Sequence, residues 1–174
     1  IPWCTDNLFF QNKERFEGSF FFASGKTNRD YKTIINACEL LPHINFIFIG
    51  AFNKGIIIPK NVKIIQSNTV ASDTTVSYAE LRNLYKNCMG VVISLNPDPE
   101  DTCGYTEMLE ALSMGKPVIM TRSGCLDLDL EKEQCGLYVK SKNPKDWAKK
   151  IQFIYSDHKI RNFMAKNGLE LISS

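Results

Sequence analysis

The chain has 174 residues, 44% of them hydrophobic and 23% charged, enough apolar material for one domain with a real core and too much for a disordered segment. Its formal net charge is +2, which speaks against the concentrated basic face that nucleic-acid binding needs. The longest apolar runs, such as 20–23 and 55–58, are strand-length and far short of a membrane span. No secretory-signal pattern stands at the front, although Ile1 is not an initiator residue and the start of the protein can lie upstream.

Taken in order, residues 1–17 are irregular, with Pro2, Trp3, Phe9 and Phe10 as anchors of a segment lying across a surface, and read as a linker ahead of a domain at 18–174. Residues 19–23 form an apolar run of the kind that makes a strand buried on both faces, stopping at Ser24 and Gly25. A short polar loop follows. Asp30 or Asn28 then caps a helix that runs to about Leu41, with Tyr31, Ile34, Ile35, Cys38 and Leu41 facing inward and Pro42 ending it. Strands are predicted at 45–50 and 61–66, with an apolar connection between them. After a polar loop at 67–77, the spacing of Leu81, Leu84, Tyr85 and Cys88 predicts a helix over 78–88, then a strand at 90–95.

Next comes the stretch from Cys103 to Ile119. Locally it is a loop ending in Gly104, a helix at about 106–114 that Thr106 can cap, a Gly115 stop, and a strand at 118–121. Glu107 and Glu110 sit on neighbouring turns of one face of that helix. A strand at 136–139 and helices at 144–155 and 158–172 complete the chain. The alternation of strand and helix means a mostly parallel sheet with helices on both faces, a Rossmann-like three-layer α/β/α arrangement.

Ligands of such sheets bind beyond the carboxyl ends of the strands. The loops at 24–29 and 101–106 both leave from such ends. If they face one crevice, Lys26 and Arg29 supply cations and the helix start behind Gly104 supplies backbone donors for one shared anion, for which a diphosphate is the natural guest. The plainer reading is also open: a glycine turn feeding an ordinary amphipathic helix, with Lys26 and Arg29 as solvated surface charge. Six cysteines (Cys4, Cys38, Cys88, Cys103, Cys125, Cys135) form no CxxC pair, and His43 and His158 stand alone. Free thiols of a reducing cytosol fit a core-rich chain of this size better than disulfides, and no metal site is expected.

With these residues in view, the chain resembles the carboxyl-terminal, nucleotide-sugar-binding domain of retaining GT-B glycosyltransferases of the family-four type, over almost its whole length. Residues 2–10 are similar to the interdomain linker of that family. Gly25, Lys26 and Arg29 fall on its diphosphate contacts after the first strand. Residues 104–119 match its most specific signature, a glycine loop and a Leu-Glu-Ala helix followed by Gly-Lys-Pro-Val-Ile.

The resemblance implies that Glu110 holds the donor ribose and that the amides of Tyr105 and Thr106 meet the distal phosphate. A second glutamate of the family, seven residues before the ribose one, is absent: that position is Thr102. Asp101 can take its role if the loop is one residue longer; alternatively Asp98, Glu100 and Asp101 are a solvated acidic loop. The loop at 67–77 would select the base, and that at 98–105 the sugar.

The implied activity is transfer of a sugar, of the hexosyl type, from a nucleoside diphosphate to a glycan, lipid or polysaccharide acceptor, with retention and without a metal. Lys26, Arg29 and Asp101 would serve catalysis, and Gly25, Gly104, Tyr105, Thr106 and Glu110 donor binding. The chain opens inside the linker and ends before the family's crossing helix is complete. The expectation is therefore an excised half of a GT-B enzyme, lacking its amino-terminal acceptor domain, that binds donor weakly and transfers poorly or not at all. Its expected partner is the nucleoside-diphosphate sugar and not nucleic acid. The expected location is the cytoplasm, with the full-length enzyme at the inner membrane face. Two other classes stand beside this reading: a sugar-nucleotide 2-epimerase of related fold, which would epimerise donor without acceptor, and a non-catalytic nucleotide-binding or interaction module.

Overall fold

The computed structural model describes residues 5–6, 8–11, 18–50, 55–66, 76–98, 100–122, 124 and 126–173. The anchors Pro2 and Trp3, the thiols Cys4 and Cys125, and most of the predicted base-selecting loop lie outside these residues. The strands are β1 (Phe20–Ala23), β2 (Phe46–Gly50), β3 (Val62–Gln66), β4 (Cys88–Ile93), β5 (Val118–Thr121) and β6 (Gly136–Val139). The helices are α1 (Tyr31–Glu39), α2 (Tyr78–Asn87), α3 (Tyr105–Ser113), α4 (Pro144–Ser156) and α5 (His158–Ser173). All strand pairs are parallel, in the order β3-β2-β1-β4-β5-β6. That is the doubly wound Rossmann order, in which the strand sequence reverses direction between β1 and β4.

The strands are apolar on both faces because both faces are covered. Phe21, Val92 and Ile119 point into a core built with α1 and α4, whereas Phe20, Phe22, Val91, Ile93 and Met120 point into one built with α2 and α3. Trp147, Ile151 and Ile154 bring the buried stripe of α4 onto the first of these, and Met108, Leu109 and Leu112 bring that of α3 onto the second. Side chains in strands alternate between faces, so runs such as Phe20, Phe21, Phe22 serve two cores at once.

Two expectations shift. The fourth strand starts at Cys88, two residues earlier than predicted, because Cys88 and Met89 leave the helix directly into the sheet. Thr106 does not cap α3: the N-cap is Gly104, in the left-handed region at φ 84°, and no side chain caps the start. Phe10, expected to anchor its segment on a surface, is 5% exposed and edge-on to Tyr85 within the second core. Of the two caps expected for α1, Asp30 is the one used, accepting from the Thr33 amide, and α2 starts with a reciprocal capping box between Ser77 and Glu80 that the sequence reading did not include. Gly115, at φ 64°, follows the end of α3. Cys38, Cys88, Cys103 and Cys135 are free thiols. Among the described residues, no helix is long and apolar enough to cross a membrane.

Candidate functional site

The β1–α1 loop is stitched to the end of β4 by backbone bonds. Asp30 donates its amide to Ser94 O at 2.9 Å, Asn96 donates to Asn28 O at 3.1 Å, and the Ser94 hydroxyl donates to Asp30 O at 3.0 Å. This joins the two strand ends where the sheet order reverses, and Asn28 and Asp101, in contact at 2.7 Å, set the two predicted loops side by side there. Lys142 closes the edge, donating to Asp30 at 2.8 Å and to Asn96 Oδ1 at 2.5 Å. Burial raises the Asp30 carboxyl, but the hydrogen bonds from Lys142 and Thr33 outweigh it and hold the group below the ordinary aspartate range.

Arg29 is drawn into this loop. Its Nε donates to Ser24 O at 3.3 Å, its Nη1 to Thr27 O at 2.8 Å, and its Nη2 to Glu107 Oε2 at 2.8 Å. The side chains of this pair are 8% and 5% exposed. Glu107 also accepts from the Ser24 amide at 2.5 Å. Burial pushes the Glu107 carboxyl up, and Arg29 and Ser24 pull it back. Sequence reasoning placed Glu107 on the face shared with Glu110 but gave it no role; the signal available was an acid on the side of α3 that turns towards β1. Gly25 sits at φ 116°, and a Cβ there would meet Arg29 Nη2 at 2.2 Å, so the guanidinium and the glycine need each other. Lys26, next in the chain, is exposed.

Gly104 fixes the other side. A Cβ on it would lie 2.7 Å from Ile93 Cγ2 and 3.1 Å from Met120 Cε, so the first turn of α3 packs directly onto β4 and β5. The Tyr105 amide is taken by Thr102 O at 3.2 Å. Of the two amides predicted to meet phosphate, that of Thr106 remains at the uncapped start, where intrahelical acceptors are absent. Asp101 accepts from Asn28 Nδ2 at 2.7 Å and from the Cys103 amide at 2.9 Å. Hydrogen bonds from Cys103 and Asn28 keep its carboxyl below the ordinary range. It thus bridges the two loops, with Asn28 held at φ 53°.

Glu110 lies one turn beyond Glu107. It accepts from the fully buried Tyr85 hydroxyl at 2.8 Å, and that hydroxyl is 3.5 Å from Ser24 Oγ. Burial pushes the Glu110 carboxyl up to about 7, with the Tyr85 hydrogen bond opposing and the Glu107 charge adding. A chain of contacts therefore runs from Arg29 through Glu107, Ser24 and Tyr85 to Glu110. Beside it opens a cavity of about 260 Å³, walled by Ser24, Gly25 and Lys26, by Ile49 at the end of β2, and by Val76, Tyr78 and Leu81 at the start of α2. A mostly apolar cavity beside a cation and a helix start suits a flat aromatic ring with a charged tail. Lys116, in the Gly-Lys-Pro signature, is 5% exposed and donates to the carbonyls of Lys86 and Cys88 at 2.9 and 2.8 Å. Its place is at the end of α2, away from the crevice.

Comparison with known proteins agrees with this architecture. The C-terminal domain of a glycosyl transferase group 1 family protein, LpcC, from Francisella tularensis has a similar fold, with a TM-score of 0.71 and 18% identity, over 97% of this chain and 96% of that one. Sucrose-phosphate synthase from Thermosynechococcus elongatus aligns at a TM-score of 0.77 and 17% identity, over 99% of this chain and 47% of the other. HepE from Anabaena, solved in complex with UDP and glucose, aligns at 0.66 and 16%, over 90% and 44%. At these identities the likeness concerns the fold.

In sequence, the N,N'-diacetylbacillosaminyl-diphospho-undecaprenol alpha-1,3-N-acetylgalactosaminyltransferase of Campylobacter jejuni is 26% identical over 137 residues, which is 78% of this chain and 34% of that enzyme. The chain thus spans about a third of the curated relative's length. The model of the glycosyl transferases group 1 matches residues 9–171, taking in both loops, the α3 helix and the whole sheet, and the chain belongs to that family.

Proposed function

We propose that this chain is the donor-binding domain of a glycosyltransferase, holding a nucleoside-diphosphate sugar at the carboxyl ends of β1 and β4 for retaining transfer of a hexosyl group to a glycan, lipid or polysaccharide acceptor in the full-length enzyme. The observation that supports this reading is the run of contacts joining Ser24, in the loop that carries Lys26, to Glu107 in the first turn of α3 and, through Tyr85, to Glu110, beside the cavity that Ser24, Gly25 and Lys26 wall. The ligand of HepE, UDP, belongs to the class proposed.

In the proposed pose the base enters the cavity, the ribose hydroxyls reach Glu110, and the diphosphate lies between Lys26 and the first turn of α3. As the bond to the sugar breaks, negative charge gathers on the diphosphate. Lys26 and the positive end of the helix dipole stabilise it in place of a divalent ion. Arg29 has its charge compensated by Glu107, so its contribution is to hold the loop that carries Lys26. Asp101, bridging the loops from the sugar side, is placed to order the donor sugar. The 174 residues tested by themselves are expected to transfer sugar poorly or not at all.

Lys26→Ala tests the pose. It is expected to weaken binding of nucleoside diphosphates by on the order of tenfold or more while leaving affinity for the bare nucleoside nearly unchanged, as read by calorimetry. Equal losses for both ligands would contradict the placement of the diphosphate.

A further inference from the structure

Tyr85 links the cavity wall to Glu110. It leaves the last turn of α2 fully buried, with its ring edge-on to Phe10 and Phe22 at centroid distances of 5.9 and 5.0 Å. Packing of that kind needs a phenyl ring but no hydroxyl. The hydroxyl is used for something else: it donates to Glu110 Oε2 at 2.8 Å and lies 3.5 Å from the hydroxyl of Ser24, which lines the cavity.

We propose that Tyr85 is a positioning residue for nucleotide binding, its hydroxyl orienting the Glu110 carboxylate towards the ribose and tying it to the Ser24 loop that carries Lys26. This rests on the reading of the crevice as a nucleoside-diphosphate site. A partly buried carboxylate with one fixed donor is oriented and kept ionised by that donor; without it, the group both rotates and takes up a proton more readily.

The surroundings of Glu110 leave this role to Tyr85. Glu107, one turn back on α3, raises the Glu110 carboxyl and is itself tied to Arg29 and the Ser24 amide. From α5, Gly168 lies against Leu112 of α3 and Leu169 against Gly115 just past its end, while the Lys166–Glu170 pair is solvent-exposed. β4 and β5 pack Ile93 and Met120 against the start of the helix. The Tyr85 hydroxyl is the group that opposes the burial and the Glu107 charge, which together push the Glu110 carboxyl up to about 7.

The test is Tyr85→Phe, which keeps the ring. Binding of UDP and GDP, each beside its 2′,3′-dideoxy counterpart, is measured on the 174-residue chain between pH 6 and pH 9. In the unmodified protein the ribo form is expected to bind about tenfold tighter than the dideoxy form above pH 7, and the advantage to fade as Glu110 is protonated below it. The ratio cancels the titration of the phosphates themselves. Tyr85→Phe should cut the ribo advantage at neutral pH and move its onset to higher pH, with the dideoxy affinity kept. Equal loss for both forms, or an unmoved onset, would mean that Tyr85 only packs. If the variant fails to fold, the unmodified chain still decides: a ribo advantage independent of pH would overturn the proposal. Failure of the unmodified chain to bind any nucleoside diphosphate would instead remove the nucleotide site on which the proposal rests.

Discussion

Arg29 and Glu107 stand 78 positions apart in the chain and form a buried pair at 2.8 Å. Such a pair adds little net stability over well-packed apolar residues, but removal of one partner strands the other charge, at a cost of roughly 3–5 kcal/mol. Arg29→Ala and Glu107→Gln should therefore each destabilise the chain strongly in urea titrations, and the double variant should cost clearly less than the sum of the two. Strict additivity would mean that the two side chains act independently. This coupling is also what the residue types alone could not convey. Lys26 and Arg29 look alike as loop cations; only the fold distinguishes an exposed one from one buried against a carboxylate of a distant helix. Glu110 could be singled out from the Leu-Glu-Ala pattern, whereas its partner Tyr85 could be placed only as an inward-facing helical residue, because a hydroxyl's acceptor is a matter of tertiary contact.

At the level of elements, α3 shows why boundaries were harder to read than types. Thr106 has the chemistry of an N-cap and sits ahead of an apolar periodicity, so local rules chose it. The backbone chose Gly104 instead, because only a glycine can hold φ 84° there while its α-carbon faces Ile93 and Met120. Gly104→Ala should cost about 2–4 kcal/mol from the left-handed strain and the added methyl together, measured by chemical denaturation; a loss below about 0.5 kcal/mol would mean that the helix start is free to shift. The strands were legible for the opposite reason. A strand covered on both faces is an uninterrupted apolar run, and β1, β2, β5 and β6 were found within a residue of their observed limits. β4 slipped because Cys88 serves at once as the end of the helical spacing and as the first residue of the strand.

The whole molecule puts these parts to use through its strand order. Reversal between β1 and β4 separates the helices that follow them onto opposite faces and leaves a crevice between the two loops. The rhythm of strands and helices was enough to expect this sheet and its crevice. The lateral wall was not readable, since the cavity depends on how Val76, ahead of α2, and Tyr78 and Leu81 of α2 meet Gly25 and Ile49.

The central claim is that this crevice binds a nucleoside diphosphate, and a melting-temperature titration tests it most directly. A ligand that binds the folded chain at one site raises the melting temperature with concentration, by about 2.7 kcal/mol of added stability at a hundred times its dissociation constant. The account predicts such a concentration-dependent rise for at least one of the uridine, guanosine, cytidine, adenosine and thymidine diphosphates, reduced in Lys26→Ala. No rise with any of the five at millimolar concentration would contradict it and favour an interaction module instead.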